Sequence, residues 1–168
     1  MKLNFVCLII IKFTWIYIID EIIYFKEKMD KEIRIRWCFM ITVVAALIQK
    51  GNRILIAKRS TGDSHVLGKW EFPGGKVKDG ESEFAAIERE IREEFELSVR
   101  ARTFLINNIY EYPNKIVDLR LYSCEYIGGE FNLHDHSEYK WILIDDILDY
   151  DLSPADINLA IWIRDMYK

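Results

Sequence analysis

Residues 75–97 read GKVKDGESEFAAIEREIREEFEL, and the rest of the chain is best understood outward from them. Between Ser82 and Phe95 the apolar residues Phe84, Ile87, Ile91 and Phe95 recur at helical spacing. At about 100° per residue they fall on one arc, as a helix facing a core requires. Glu83, Glu90, Glu93 and Glu94 fall on the neighbouring arc. Like charges at i,i+3 and i,i+4 cost roughly 0.2–0.5 kcal/mol per pair in a bare helix. Such crowding has two readings: a solvated acidic face partly neutralised by Arg89 and Arg92, or a bank of hard oxygen donors. The second suits Mg2+, which prefers carboxylates, waters and substrate phosphates.

Upstream of this segment, Ile33, Ile35, Trp37, Phe39, Ile41 and Val43 alternate with other residues, the period of a strand. Gln49-Lys50-Gly51-Asn52 is a turn signal, and residues 53–59 form the returning strand. Residues 60–69 read as a polar loop. Trp70-Glu71-Phe72 then runs into Pro73-Gly74-Gly75, where the backbone must bend sharply. Downstream, strand-like runs at 101–112 and 116–126 flank a hairpin turn at Pro113-Asn114-Lys115, and residues 138–144 form another strand. Ser153-Pro154-Ala155-Asp156 opens the last helix with a cap, a proline at the first helical position and an acid at the third; the helix runs on to Met166. Strands with two interspersed helices imply an α/β fold, with helical layers around a mixed sheet.

The 168 residues carry 23 Lys+Arg against 27 Asp+Glu, a net charge of -4, which argues against a protein that coats a nucleic-acid polymer by bulk electrostatics. A nucleotide-sized substrate stays open, because a bound metal inverts the local field. With 51% hydrophobic and 30% charged residues, the chain is neither disordered nor fibrous. Cys7, Cys38 and Cys124 show no CxxC or zinc-type spacing and read as reduced thiols of a cytosolic protein.

Residues 1–28 are an apolar, isoleucine-rich extension, and three readings stand open. As a signal peptide the segment lacks a small-residue cleavage site. As a membrane span it is shorter than the usual length of about 20 residues and carries Lys12 in its middle. The third reading starts the protein at Met29, giving a self-sufficient domain over 29–168. The expected location is cytoplasmic, with membrane contact through residues 3–25 as the alternative. Oligomeric state is not legible.

The spacing within residues 75–97 resembles the Nudix box: Gly75, then Glu81 after five residues, then Arg89-Glu90-Ile91, Glu93-Glu94 and Leu97. The one departure is Glu96, which stands where the family has the glycine that ends its helix. The resemblance extends to Ile54-Leu55-Ile56-Ala57-Lys58-Arg59, to Gly68-Lys69-Trp70-Glu71-Phe72-Pro73-Gly74-Gly75 and to Ser153-Pro154-Ala155-Asp156, which look like the MutT-type branch. It implies the Nudix fold, an α/β/α sandwich around a mixed β-sheet, and Mg2+-dependent hydrolysis of nucleoside triphosphates, with Mn2+ able to substitute. The implied role is cleansing of the nucleotide pool, with 8-oxo-dGTP as substrate and CTP or modified dCTP as the alternative. A non-catalytic nucleotide-binding module is the reading from a different class; the intact set of Glu81, Glu90, Glu93 and Glu94 speaks against it.

Carried over residue by residue, the resemblance makes Glu90, Glu93 and Glu94 metal ligands, completed by a backbone carbonyl at Gly74 or Gly75. Arg89 is expected to orient the glutamates through charge-assisted hydrogen bonds. Asp135, on the loop before the last strand, resembles the general base of the MutT type but is one methylene shorter; Glu90 is the alternative base. Arg59 falls where the branch has a phosphate- or base-contacting arginine. Phe72 and Trp70 border the expected cleft, where an aromatic ring can stack on a base or simply belong to the core. Asp156 falls where the oxidised-guanine enzyme has an asparagine that reads the base; an ionised Asp only accepts hydrogen bonds, and the residue also fits a pairing with Ser153 at the helix start. His134 and His136 share a strand face but have no third ligand nearby in sequence.

Overall fold

The computed structural model describes Lys28 and residues 40–167. The extension at 1–28 therefore lies, but for Lys28, outside the described residues, as does most of the alternating run that begins at Ile33. Among the described residues no helix is long and apolar enough to cross a membrane. Seven strands form one sheet: β1 (Met40–Lys50), β2 (Arg53–Arg59), β3 (Trp70–Glu71), β4 (Gly74–Lys76), β5 (Leu97–Tyr112), β6 (Lys115–Gly129) and β7 (His136–Leu143). Among the described residues two helices flank it, α1 (Glu83–Phe95) and α2 (Ile157–Met166), and a 3₁₀ segment, Ile144–Asp149, follows β7.

The sheet is mixed because β1 pairs with β6 in parallel over Met40–Ile48, while β4 and β2 pair with β1 antiparallel. Strands β1 and β2 are almost continuously apolar because both of their faces are covered. By alternation, Val44, Ala46, Ile48, Leu55 and Ala57 pack with Ile87, Ile91 and Phe95 of α1. Ala45, Leu47, Ile54 and Ile56 pack on the opposite side with Leu159, Ala160 and Ile163 of α2. The result is the sandwich the resemblance implies: helix, mixed sheet, helix.

Two helix expectations are corrected. Phe84 does not face the core; it is 45% exposed and meets Tyr122 edge-on, with ring centroids 5.5 Å apart. Its place in the buried set is taken by Ala86. The last helix starts at Ile157 rather than at Ser153. Residues 153–156 form a turn closed by the Asp156 N–H donating to the Ser153 carbonyl at 2.9 Å. Asp156 makes no capping hydrogen bond to the helix, since its side chain is engaged elsewhere.

Candidate active site

The site begins with the short strand β4. Gly74 and Gly75 pair with Ala45 and Val44 of β1, and the Ala46 N–H donates to the Pro73 carbonyl at 2.7 Å. This brings the Gly-Gly backbone between β1 and α1 so tightly that each glycine is needed for space. A Cβ on Gly74 would collide with the Val44 carbonyl; one on Gly75 would stand in the Glu90 carboxylate. Backbone and carboxylate therefore meet with no side chain between them.

α1 follows, capped by the Ser82 hydroxyl, which accepts from the Ala85 N–H at 3.2 Å. Arg89 projects from it and uses all five guanidinium donors. Nε and Nη2 bind the two oxygens of Glu81 at 2.7 and 2.8 Å, and Nη2 also reaches the Lys76 carbonyl at 3.0 Å. Nη1 binds Glu90 Oε1 at 2.6 Å and Glu93 Oε2 at 3.0 Å. The fork geometry of arginine allows this. Its hydrogen bonds to Glu81 are the main reason that carboxyl is held down at about 2.

The box carboxylates do not all point the same way. Glu90 and Glu94 line a cleft of about 820 Å³ together with Gly74, Gly75, Arg59, Phe72 and Asp156. Glu93, half exposed, stays outside the lining and lies against Arg89. Glu83, grouped with these by the helical wheel, is engaged elsewhere: it binds Arg120 and the Tyr122 hydroxyl on β6. Asp135 also lies outside the lining. Its carbonyl accepts from the Ser60 N–H and hydroxyl, each at 3.0 Å, while its charge is felt by both Arg59 and Glu94. Trp70 does not border the cleft but is buried against Tyr150, with ring centroids 5.4 Å apart.

Glu94 is the buried acid of the helix. Burial, opposed by Arg59 and reinforced by Glu90, Glu71 and Asp135, pushes its carboxyl up to about 8. Its Oε2 is buried with no hydrogen-bond partner. Among the described residues no three acids, imidazoles or thiols already converge as a metal cage. The donor set nonetheless fits a hard divalent cation: Mg2+ asks for only one or two carboxylates, the rest coming from water and phosphate. A cation there would answer the orphaned oxygen and the surplus of negative charge.

Three residues carry polar chemistry that local patterns did not reveal as a group. Glu71 on β3 accepts on one oxygen, Oε1, from Arg59 Nε at 2.7 Å, Arg59 Nη2 at 2.6 Å and His136 Nε2 at 2.9 Å. His136 is completely buried, stacked on Phe95 at 4.8 Å, with Nδ1 3.8 Å from Glu94 Oε2. His134 parts from it, reaching Glu96 at the surface, so the two histidines form no common site. Asp156, which also lines the cleft, is buried, and its Oδ1 accepts from the Phe72 N–H at 2.9 Å. Burial, with Glu71 nearby, raises the Asp156 carboxyl well above the usual range. Phe72 is itself a core residue that shows one face to the cleft.

Glu96 ends α1 in the left-handed region, with φ 56° and ψ 25°, the conformation for which glycine is the usual choice. The turn geometry is kept without the glycine. Its Oε1 accepts from Asn132 Nδ2 at 2.6 Å.

A family model described as the NUDIX domain matches residues 39–163. The chain is 36% identical over 120 residues to the CTP pyrophosphohydrolase of Escherichia coli (strain K12), covering 71% of this chain and 88% of that protein. It is 33% identical over 126 residues to the 8-oxo-dGTP diphosphatase of Buchnera aphidicola subsp. Schizaphis graminum (strain Sg), covering 75% and 92%. The crystal structure of the MutT protein from Methanosarcina mazei Go1 superposes with a TM-score of 0.69 at 26% identity, covering 77% of this chain and 96% of that one.

Proposed function

The chain belongs to the Nudix family, an enzyme family acting on phosphoanhydride bonds, and from that premise we propose that it hydrolyses nucleoside triphosphates to monophosphate and pyrophosphate, with 8-oxo-dGTP as the favoured substrate. The observation that carries this reading is one cleft lined by two chemically different sets of residues. Glu90, Glu94 and the Gly74-Gly75 backbone form an acidic set suited to metal and phosphates. Phe72 and Asp156 supply an aromatic ring and one buried carboxyl, suited to a base.

Phosphoanhydride hydrolysis asks for positioning and charge neutralisation more than for covalent chemistry. Members of the family generally use divalent metals such as Mg2+. Glu90, Glu94 and Glu93, with a carbonyl of Gly74 or Gly75, would hold the cation, which when bound neutralises phosphate charge and acidifies a water. Glu93 joins by turning from Arg89, which keeps its bonds to Glu81 and Glu90. Glu90 lines the cleft in a fixed orientation and takes the proton from the water that attacks the β-phosphorus. Asp135 faces solvent at the rim and contributes charge rather than proton transfer. Arg59 meets the substrate from the cleft wall.

The base preference rests on donor matching. A guanine edge presents N1–H and N2–H side by side, and oxidation at C8 adds an N7–H; any one of these suits the Asp156 oxygen not already taken by the Phe72 N–H. Cytosine presents one exocyclic amine, which the same carboxyl also accepts. The similarity to a CTP pyrophosphohydrolase supports that second reading. The deciding experiment uses the full chain with Mg2+ and a panel of 8-oxo-dGTP, dGTP, CTP, 5-methyl-dCTP and a nucleoside diphosphate sugar, with products identified. The highest kcat/KM on 8-oxo-dGTP, yielding monophosphate and pyrophosphate, supports the proposal. Cytosine nucleotides in first place overturn the base assignment. Binding of nucleotide without turnover overturns the hydrolase reading.

A further inference from the structure

The buried imidazole of His136 has no part in the chemistry above, yet it lies behind the cleft wall against Glu71 and Glu94, both of which line it. β7 pairs with β2 in regular register from Arg53↔Leu143 to Lys58↔Glu138, and the next pair is Arg59↔His136. Ser137 is therefore an extra residue on β7, a bulge of the kind that re-aims a side chain beside a functional site. Without it His136 would lie on the opposite face of the sheet. With it the imidazole shares the α1-facing side with its cross-strand partner Arg59 and stacks on Phe95.

There its two nitrogens meet two different acids. A carboxylate can only accept, so Nε2 carries the hydrogen that goes to Glu71 Oε1 at 2.9 Å. Nδ1 faces Glu94 Oε2 at 3.8 Å, and both atoms are buried without a hydrogen-bond partner. A buried polar atom left unpaired destabilises a fold, so two of them side by side need a reason. A shift of about 1 Å brings them within hydrogen-bond range, with Nδ1 as donor and the Glu94 oxygen as acceptor.

Resting on the hydrolase reading, we propose that His136 is a positioning residue that sets the Glu94 carboxylate with Nδ1 and the Glu71–Arg59 pair with Nε2. One imidazole thereby aligns the metal-binding and the substrate-binding sides of the cleft. Outer-shell partners of this kind are typically worth about 10–100-fold in metal affinity or activity.

Two substitutions separate the functions, because the amide nitrogen of glutamine approximates Nε2 and that of asparagine approximates Nδ1. His136→Gln keeps the donor to Glu71 and loses the one toward Glu94; His136→Asn does the reverse. The measurements on the full chain are the affinity for Mn2+ alone, by electron paramagnetic resonance titration, and kcat and KM separately at saturating metal. His136→Gln is expected to weaken Mn2+ binding about 10–100-fold with KM near wild type. His136→Asn is expected to raise KM with Mn2+ affinity near wild type. If both variants change both quantities alike, or change only the melting temperature, the proposal is overturned. If one variant does not fold, the split in the other still decides. If the wild type hydrolyses nothing on the panel, the hydrolase reading fails by itself while the Mn2+ comparison continues to test His136.

Discussion

Replacing Gly75 by alanine should inactivate the protein without unfolding it. A Cβ at this position would stand 2.8 Å from Glu90 Oε1 and closer still to Cδ and Oε2. Ordinary contact begins near 3.4 Å, so the carboxylate must retreat by about 1 Å, a misplacement that can cost on the order of 100-fold in rate. The obstacle is the end of a flexible side chain, which can move away, so the fold should lose little. Gly74→Ala is the control with the opposite outcome. Its Cβ would collide with the Val44 carbonyl oxygen and stand 2.9 Å from Ala45 Cα, backbone atoms of the central strand that cannot step aside. Overpacking there costs about 1–3 kcal/mol or more, a drop of roughly 3–10 °C in Tm for a chain of this size. The assay is kcat on the preferred nucleotide beside a thermal melt of each variant. A Gly75→Ala protein that keeps more than half its kcat would refute the placement of Glu90 in the reaction. One that melts as low as Gly74→Ala would refute the steric argument.

Glu90→Gln should retain the wild-type melting temperature within a few degrees and lose at least about 1000-fold in kcat; residual activity near wild type would move the proton transfer to another group. Glu96→Gly relieves the left-handed conformation, worth about 1 kcal/mol, and gives up the bond from Asn132, whereas Glu96→Ala gives up the bond and keeps the strain. Gly should therefore melt above Ala, and the reverse order would contradict the conformation assigned to the cap. Glu81 has a folded-state pKa held down to about 2 from 4.5. Its contribution to stability is present above the unfolded value and disappears as the pH falls toward about 2. Glu81→Gln should flatten the acid limb of a stability profile between pH 5 and 2, and an unchanged limb would mean that Arg89 does not hold it. Burial pushes the Cys124 thiol up to about 12. In a protein lacking Cys7 and Cys38 it should react with a thiol reagent only after unfolding.

Local periodicity made the long strands and both helices legible, because each carries its own apolar spacing; β3 and β4, of two and three residues, carry none and read only as a bend. It failed where distance along an element matters. Glu83 lies beside Glu90 on a helical wheel, but two turns separate them, about 10 Å of rise. Glu83 is therefore opposite Arg120 and Tyr122 of β6 instead of the cleft. Phe84 fails for a related reason: its arc is apolar, but near the helix start the sheet beneath offers the edge of Tyr122 rather than a covered floor. The motif-bearing residues 74–94 were readable because one loop and one helix carry them. The meeting of Glu71, His136 and Asp156 was not, since each comes from a different element and only the pairing of β3, β2 and β7 brings the first two together. The acid at Asp156 reads as a turn partner of Ser153, three residues before it, and the two side chains do interact; its bond from the Phe72 N–H spans 84 positions and has no local signal.

The end of α1 has a consequence for how this fold can vary. The Asn132 and His134 N–H groups donate to the carbonyls of Phe95 and Glu94, each at 3.1 Å, and the Asn132 side chain binds Glu96. The loop leading to β7 is thus spliced onto the last turn of the helix. An insertion or deletion in it would tug directly on Glu94 and would shift His136 out of its bulge. Loop exchange with relatives at this point must therefore carry the helix terminus along as a single cassette. The segment at 60–69, which is joined to this loop through the Ser60–Asp135 contact but not to α1, has more latitude to change length.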